Sequence, residues 1–316
     1  MSEPIPGVAV VPRRRFLNAD RTMVNRFGDP FRPLELDCRV MQFGQPLSPA
    51  QLRKAADLII NRPDVELYVY GNASKDLDFL KYFTTVRRLH VALYDLDDIT
   101  GFSYLDGGLD ELIFGQTRKK FPLRFIESLP HLKKLFLVGH KKDLHCIRTL
   151  GELTSLGLSR ITLPDLSVLL PLTRLRQLSI LLGGTTNLSL LPRFPELEDL
   201  FLMRITMLFD LGVLSDLLSL KTLRLDWMRN VTSLPSFARL ARLDNVELDT
   251  MKGLTDLPPV AAAPTLRRLS VTDMPQLTAE SFRCFVDHPR LEEIRAYTGK
   301  RTVNEQIKRM LPDIAR

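Results

Sequence analysis

Leu132-Lys133-Lys134-Leu135-Phe136-Leu137 reads L-x-x-L-x-L. Leu135 and Leu137 are two apart, so they share one face of a strand, while Lys134, Phe136 and Val138 share the other. LTSLGL at Leu153, LEDLFL at Leu197 and LKTLRL at Leu220 repeat the pattern. Ten such segments begin at Val86, Leu109, Leu132, Leu153, Leu175, Leu197, Leu220, Leu243, Leu266 and Leu291, in steps of 21 to 25 residues. A period of this length marks a stacked repeat with one strand per unit. One such strand cannot bury its apolar face alone; stacking copies in parallel makes a continuous core and completes the backbone ladder. Leu135, Leu156, Leu178, Leu200 and Leu223 are expected to form one inward row. Between strands, stretches such as TLPDLSVLLPLTR, Thr162 to Arg174, return the chain across the back. They are too short and proline-rich for long helices, so extended pieces or 3₁₀ turns are expected. The predicted fold is an α/β solenoid with a parallel concave sheet, a 3₁₀ or extended convex side and a helical cap at each end.

From roughly Asp64 to the end, these ten near-regular copies resemble the leucine-rich repeat family. DLSVLLPLTRLRQLSI, Asp165 to Ile180, is similar to the short bacterial type found in internalins and in a phosphatase-regulating subunit. The resemblance implies a back of short helical turns. The family often places Asn in the turn after the strand, but the equivalent positions here hold His140, Ile161, Ile205, Met228, Met251 and Met274. That turn is expected to be sealed by apolar packing.

The length of 316 residues would suit two ordinary domains, but a repeat makes one elongated unit of it. Residues 1–33 show no sustained period and are expected to be flexible. Residues 34–63 are read as an N-terminal cap: a half-buried strand from Leu34 to Val40, then a helix with Ser48 as N-cap and Pro49 in its first turn, ended by Pro63. Residues 64–300 hold about eleven repeats, the first with Leu67 and Val69 inward. Residues 301–316 form a C-terminal helical cap, with Thr302 and Glu305 at capping-box spacing before Val303, Ile307, Met310 and Leu311.

Stacked strands set equivalent residues roughly 4.8 Å apart, so outward columns are readable. The first begins Glu66, Arg88, Glu111, Lys134, alternating in sign as a charge ladder does. In the next two columns Ile113, Phe136, Val138, Leu181, Phe201 and Met203 surround the small Gly157, Ser159 and Ser179. Trp227, the only tryptophan, follows just beyond. Large apolar residues around small ones predict a hydrophobic depression on the concave face that docks a protein partner, with Phe136, Phe201 and Trp227 as accessible anchors. A covering loop or tail, or Trp227 packed into its turn, is the competing reading. Arg224, Asp226, Glu247 and Asp249, with Asp273 nearby, make the C-terminal half of this face charged and complete the candidate site. Arg118, Lys119, Lys120, Lys141 and Lys142 are expected as a basic ridge at the rim, beside Asp95 and Asp97. With a net charge of +7 an anionic partner is conceivable, but the basic residues are not interleaved with stacking aromatics, which speaks against nucleic acid.

Phosphate-loop, dinucleotide, zinc-protease and hydrolase-elbow motifs are all missing from the sequence. His140, His145 and Cys146 fit no standard zinc spacing, and no cofactor is implied. Cys284 lies between Phe282 and Phe285 on an expected buried face. Three scattered cysteines point to a reducing compartment, and no apolar run reaches membrane-spanning length. The reading is a non-catalytic, cytoplasmic protein-binding module. The alternatives are an exported bacterial effector acting on host proteins, with residues 1–33 as its signal, and an enzyme built on Arg224, Asp226, Glu247 and Asp249.

Overall fold

The computed structural model describes residues 16–18 and 39–315. Among the described residues thirteen strands follow one another. They are β1 (Phe16–Asn18), β2 (Val40–Phe43), β3 (Glu66–Tyr70), β4 (Arg88–Ala92), β5 (Glu111–Phe114), β6 (Lys134–Val138), β7 (Ser155–Ser159), β8 (Gln177–Leu181), β9 (Asp199–Met203), β10 (Thr222–Asp226), β11 (Asn245–Asp249), β12 (Arg268–Thr272) and β13 (Glu293–Tyr297). The chain divides into two compact units between Leu156 and Gly157, inside β7. In the first unit β1 to β6 pair in parallel, in chain order. In the second, β8 to β13 do the same.

The register is the one that the L-x-x-L-x-L spacing dictates. Leu112 pairs with Leu135 in the first unit; Leu178, Leu200 and Leu223 form a continuous row in the second. All of these, with Leu156, are buried. The returns are 3₁₀ turns at Asp78–Tyr82, Thr100–Tyr104, Arg124–Ser128 and Leu144–Thr149 in the first unit. The second unit has Ser167–Leu169, Leu191–Arg193, Gly212–Asp216 and Ala279–Phe285, with one α-helical turn, α2 (Pro258–Ala261). Their sequence logic is an acidic or amide side chain two residues ahead. Asp98 accepts from Thr100 N–H, Asp165 from Ser167 N–H, Asn187 from Ser189 N–H and Asp210 from Gly212 N–H, at 2.6 to 3.0 Å. Each occupies an otherwise unpaired donor at the start of a turn.

Helix α1 (Pro49–Ile59) begins as expected, with Ser48 accepting from Gln51 N–H and Gln51 returning the bond to Ser48 N–H. Leu67 and Val69 point inward in β3. The cap strand differs: it runs over Val40–Phe43, and Leu34 to Cys38 lie outside the described residues. Of residues 1–33, expected to be flexible, Phe16–Asn18 forms β1 alongside β2 and the others lie outside the described residues. At the other end α3 (Arg301–Met310) starts before Thr302, which is therefore not its cap. Asn304 of its first turn instead accepts from the backbone and hydroxyl of Thr298, at 3.1 and 2.7 Å. Ile307 and Leu311 are buried, and the chain beyond the helix returns to bond β13, Ile294 N–H donating to Ile314 O at 2.7 Å. That return covers part of an otherwise open strand edge.

From β7 to β12 each strand is followed by a residue in the left-handed region: Arg160, Leu182, Arg204, Trp227, Thr250 and Asp273, with φ between 45 and 56°. Each donates its N–H to the last strand residue of the next repeat, as Arg204 does to Asp226 O at 2.9 Å and Trp227 to Asp249 O at 3.0 Å. The ladder therefore runs one bond past each strand, at a backbone cost that glycine would avoid.

Candidate functional site

On the first unit's open face the charge ladder forms. Arg88 and Lys134 both reach Glu111, at 3.6 and 2.8 Å, and His90 lies 3.5 Å from Glu66. These are surface pairs worth a few tenths of a kcal/mol each. Above them Tyr68 stacks on both Tyr70 and His90, with centroids 4.9 and 4.2 Å apart.

The apolar residues in the outward columns do not stand free. Phe136 is 8% exposed and Phe201 6%; Val138, Leu181 and Met203 are buried as well, and Ile113 is half-buried. The expectation that Phe136 and Phe201 are accessible anchors is thus overturned. Pointing out of a sheet is not the same as reaching water: strands under 5 Å apart press each side chain against its column neighbours. Phe201 is the clearest case. It sits in register with Ser179 and Arg224, and the Arg224 guanidinium lies over its ring, 5.0 Å from the centroid. Arg224 is held there by Glu247 at 2.6 Å. Phe201→Ala is accordingly expected to cost about 3 kcal/mol of folding stability in a denaturant titration, the low end of the range for a core phenylalanine. A loss under about 1 kcal/mol would return Phe201 to the surface.

The charged half of the site divides into two pairs. Arg224 registers with Glu247 and Asp226 with Asp249. Burial pushes the Glu247 carboxyl up, but the Arg224 hydrogen bond and charge outweigh that and hold it below the usual range. Asp226 has no such relief. Burial, then the neighbouring Asp249, raise it to about 6 against the pull of Arg224. Its Oδ1 is buried without a hydrogen-bond partner. Asp249 and Asp273 both accept from the Thr250 hydroxyl, at 2.7 and 3.4 Å.

Trp227 belongs to neither set. Its left-handed backbone carries the indole past the strand end, where it is 39% exposed, with Arg204 and Arg229 guanidiniums 5.6 and 5.1 Å from the ring. In the basic ridge of the first unit Arg118 lies 3.6 Å from the Asp95 carboxylate, and Lys119 and Lys120 donate to the Asp97 and Thr117 backbone carbonyls.

Thiol and metal chemistry find little support. Burial pushes Cys146 and Cys284 up to about 11, leaving both protonated at neutral pH. Cys38 lies outside the described residues. Among the described residues no group of three or more His, Cys, Asp or Glu is placed to hold a metal, and no helix is long and apolar enough to cross a membrane.

No family model and no curated protein sequence matches the chain. A solved internalin from Listeria monocytogenes superposes with a TM-score of 0.54 at 17% identity, over 81% of this chain and 72% of that one. The fold is an internalin-like leucine-rich repeat. The functional domain of InlJ and internalin C2, from the same organism, match at 13% and 18% identity with TM-scores of 0.46 and 0.35. InlJ is covered over 58% of its length and internalin C2 over 83%; they cover 83% and 78% of this chain.

The leucine-rich repeat here lacks the usual Asn in its turns, and the six residues standing there are all buried, as expected. Apolar packing is only half of the seal. His140 donates from Nε2 to Gly115 O at 3.0 Å, accepts at Nδ1 from Phe121 N–H at 3.4 Å and stacks on Phe114 at 4.2 Å. It does an amide's work with a ring, and burial lowers its pKa to about 4. The Met228 sulfur accepts from Ile205 N–H, and the Thr185 hydroxyl from Leu163 N–H. Sequence reading missed these bonds, and the Tyr68–Tyr70–His90 stack, because the columns report position and not partner.

Proposed function

We propose that this chain is a non-catalytic binding module that holds a basic segment of a protein partner on the open face of β10 and β11. The reading rests on one observation: Asp226 is a half-buried carboxylate with a buried oxygen that nothing bonds, beside a second carboxylate, Asp249. A Lys or Arg side chain laid over Asp226 and Asp249 supplies the opposite charge that the fold leaves unmet. Arg224 and Glu247, already paired, would orient it. The fold's common use in protein binding supports the same conclusion.

The test is selection of random peptides against the protein at pH 7.5, with counter-selection against Asp226→Asn/Asp249→Asn. The expected product is a Lys- or Arg-bearing motif whose affinity falls about thirtyfold, or 2 kcal/mol, in the double variant. It should also weaken as the pH drops below about 6 and Asp226 takes a proton. Motifs without basic residues, or equal binding to the double variant, would refute the proposal.

An unmet carboxylate also costs stability. Its folded pKa, about 6, lies above its ordinary 3.8, so the cost is present above pH 6 and is relieved as the pH falls toward 4. Asp226→Asn is therefore expected to melt higher than wild type at pH 7.5. Discounted for partial exposure, the gain is about 1–2 kcal/mol. The difference should close by pH 4. A variant less stable than wild type at pH 7.5 would mean that Asp226 has a partner in the fold.

A further inference from the structure

The rim of the second unit carries a patch that neither the repeat nor the open face requires. Trp227 stands 39% exposed after β10. In the return after β9, the next repeat over, Met207 is 55% and Phe209 60% exposed. The two loops run side by side: Ile205 N–H bonds the Met228 sulfur, Asn230 Nδ2 donates to Thr206 O, and Arg204 lies over Trp227. Three large apolar side chains thus face solvent on one pair of adjoining loops. In the same returns Ile205, Leu208 and Met228 are buried, so the exposure of their neighbours is not a general looseness of the loops.

Two guanidiniums flank the indole. Arg204 and Arg229 are exposed, and neither has a carboxylate partner among the described residues. In this same unit Arg176, Arg224, Arg239, Arg267 and Arg268 do; Arg160, Arg174, Arg193, Arg290 and Arg309 are exposed without one as well, so what sets Arg204 and Arg229 apart is their place beside an exposed indole. The left-handed backbone at Trp227 is shared by its whole column and is no argument by itself; the residue type placed there is. Trp, Phe, Met and Arg are the residues enriched at protein interfaces, and Trp and Arg are the commonest hot spots within them.

We propose that this rim patch is a second docking site, which binds an acidic segment of a protein bearing an aromatic or aliphatic side chain. Carboxylates of the partner seat in the two free guanidinium forks, which match them geometrically. Its apolar side chain covers Trp227, Met207 and Phe209. A membrane surface is the less suitable occupant. Electrostatic membrane sites gather roughly four to eight basic residues, whereas this patch has two, and Asp210 adjoins Phe209. The site is distinct from the acidic open face, and its partner chemistry has the opposite sign.

Trp227 is the only tryptophan in the chain, so its emission reports this patch alone. The probes are a synthetic peptide alternating Glu with Leu and Phe, the same peptide with Lys for Glu, and vesicles of phosphatidylcholine with phosphatidylserine. The acidic peptide is expected to shift the emission saturably to the blue, and the Lys peptide is not. Arg204→Ala/Arg229→Ala should weaken the acidic peptide about tenfold or more while leaving the melting temperature unchanged. Asp226→Asn/Asp249→Asn should leave it intact, which separates this site from the open face. A response equal for both peptides, a response to vesicles alone, no response, or one that survives the double arginine change would each overturn the proposal. Met207→Ser/Phe209→Ser, both exposed, serves as a second variant with the same expected loss.

Discussion

Leu200→Asp is expected to abolish cooperative melting of the second unit. Leu200 lies midway along an inward row, in register with Leu178 on one side and Leu223 on the other, and is fully enclosed. The change removes a packed side chain and places a carboxylate where no donor waits. Together these cost about 5 kcal/mol or more, close to the whole stability of an ordinary domain. Leu200→Ala, which leaves only a cavity, should cost about 3 kcal/mol. Circular dichroism melts of both would order them. Repeats contact mainly their sequence neighbours, so the loss should spread outward from β9. An Asp variant that melts like wild type would mean the register is wrong by one residue, since a slip of one exchanges the two faces.

The second large effect is expected at His140. His140→Ala removes a ring stacked on Phe114 and leaves the Phe121 N–H and the Gly115 carbonyl without their partner. A cavity plus two unmet backbone groups amounts to about 3–4 kcal/mol at neutral pH. Acid should act on the same bond. The folded pKa, about 4, lies below the ordinary 6.5, so the fold favours the neutral ring. The stability it contributes is intact above pH 6.5 and is lost as the pH falls from 6.5 to 4, by roughly 2–3 kcal/mol in all. Asp226 works in the opposite direction over a similar range, so the two must be separated by variant. In an Asp226→Asn background, urea midpoints should fall between pH 6.5 and 4, and adding His140→Gln should flatten that slope. A slope that persists in His140→Gln would place the acid sensitivity elsewhere.

The backbone was legible because a period of 21 to 25 residues leaves one solution for the Leu positions, and the strands fell where the pattern put them. The open face was less so. Phe136, Phe201 and Met203 were placed on the correct side of the sheet, yet alternation says nothing of how far a column neighbour such as Arg224 leans over. The left-handed positions were hidden for another reason. Glycine would have announced them, as Gly71 and Gly139 do, but Arg160, Leu182, Arg204, Trp227 and Thr250 carry ordinary side chains, and their φ is set by the bond to the next repeat. Thr302 failed as a cap signal because α3 already starts at Arg301, with Lys300 at the cap position and no side-chain cap bond. Met207 and Phe209 lie in a return, where no period marks which side faces water.

The sealed turns bear on how such a chain is able to evolve. Where every repeat carries the same Asn, one copy can be gained or lost by unequal recombination and each junction finds the partner it had before. Here His140 fits Phe121 and Gly115, Thr185 fits Leu163, Met228 fits Ile205, and Gln276 reaches back to the carbonyls of Met251 and Leu254. Each closure is private to its pair of turns. Excision of a whole repeat would preserve the period and still bring together two surfaces that had never been matched. The array has the look of interchangeable parts and the fit of a single one.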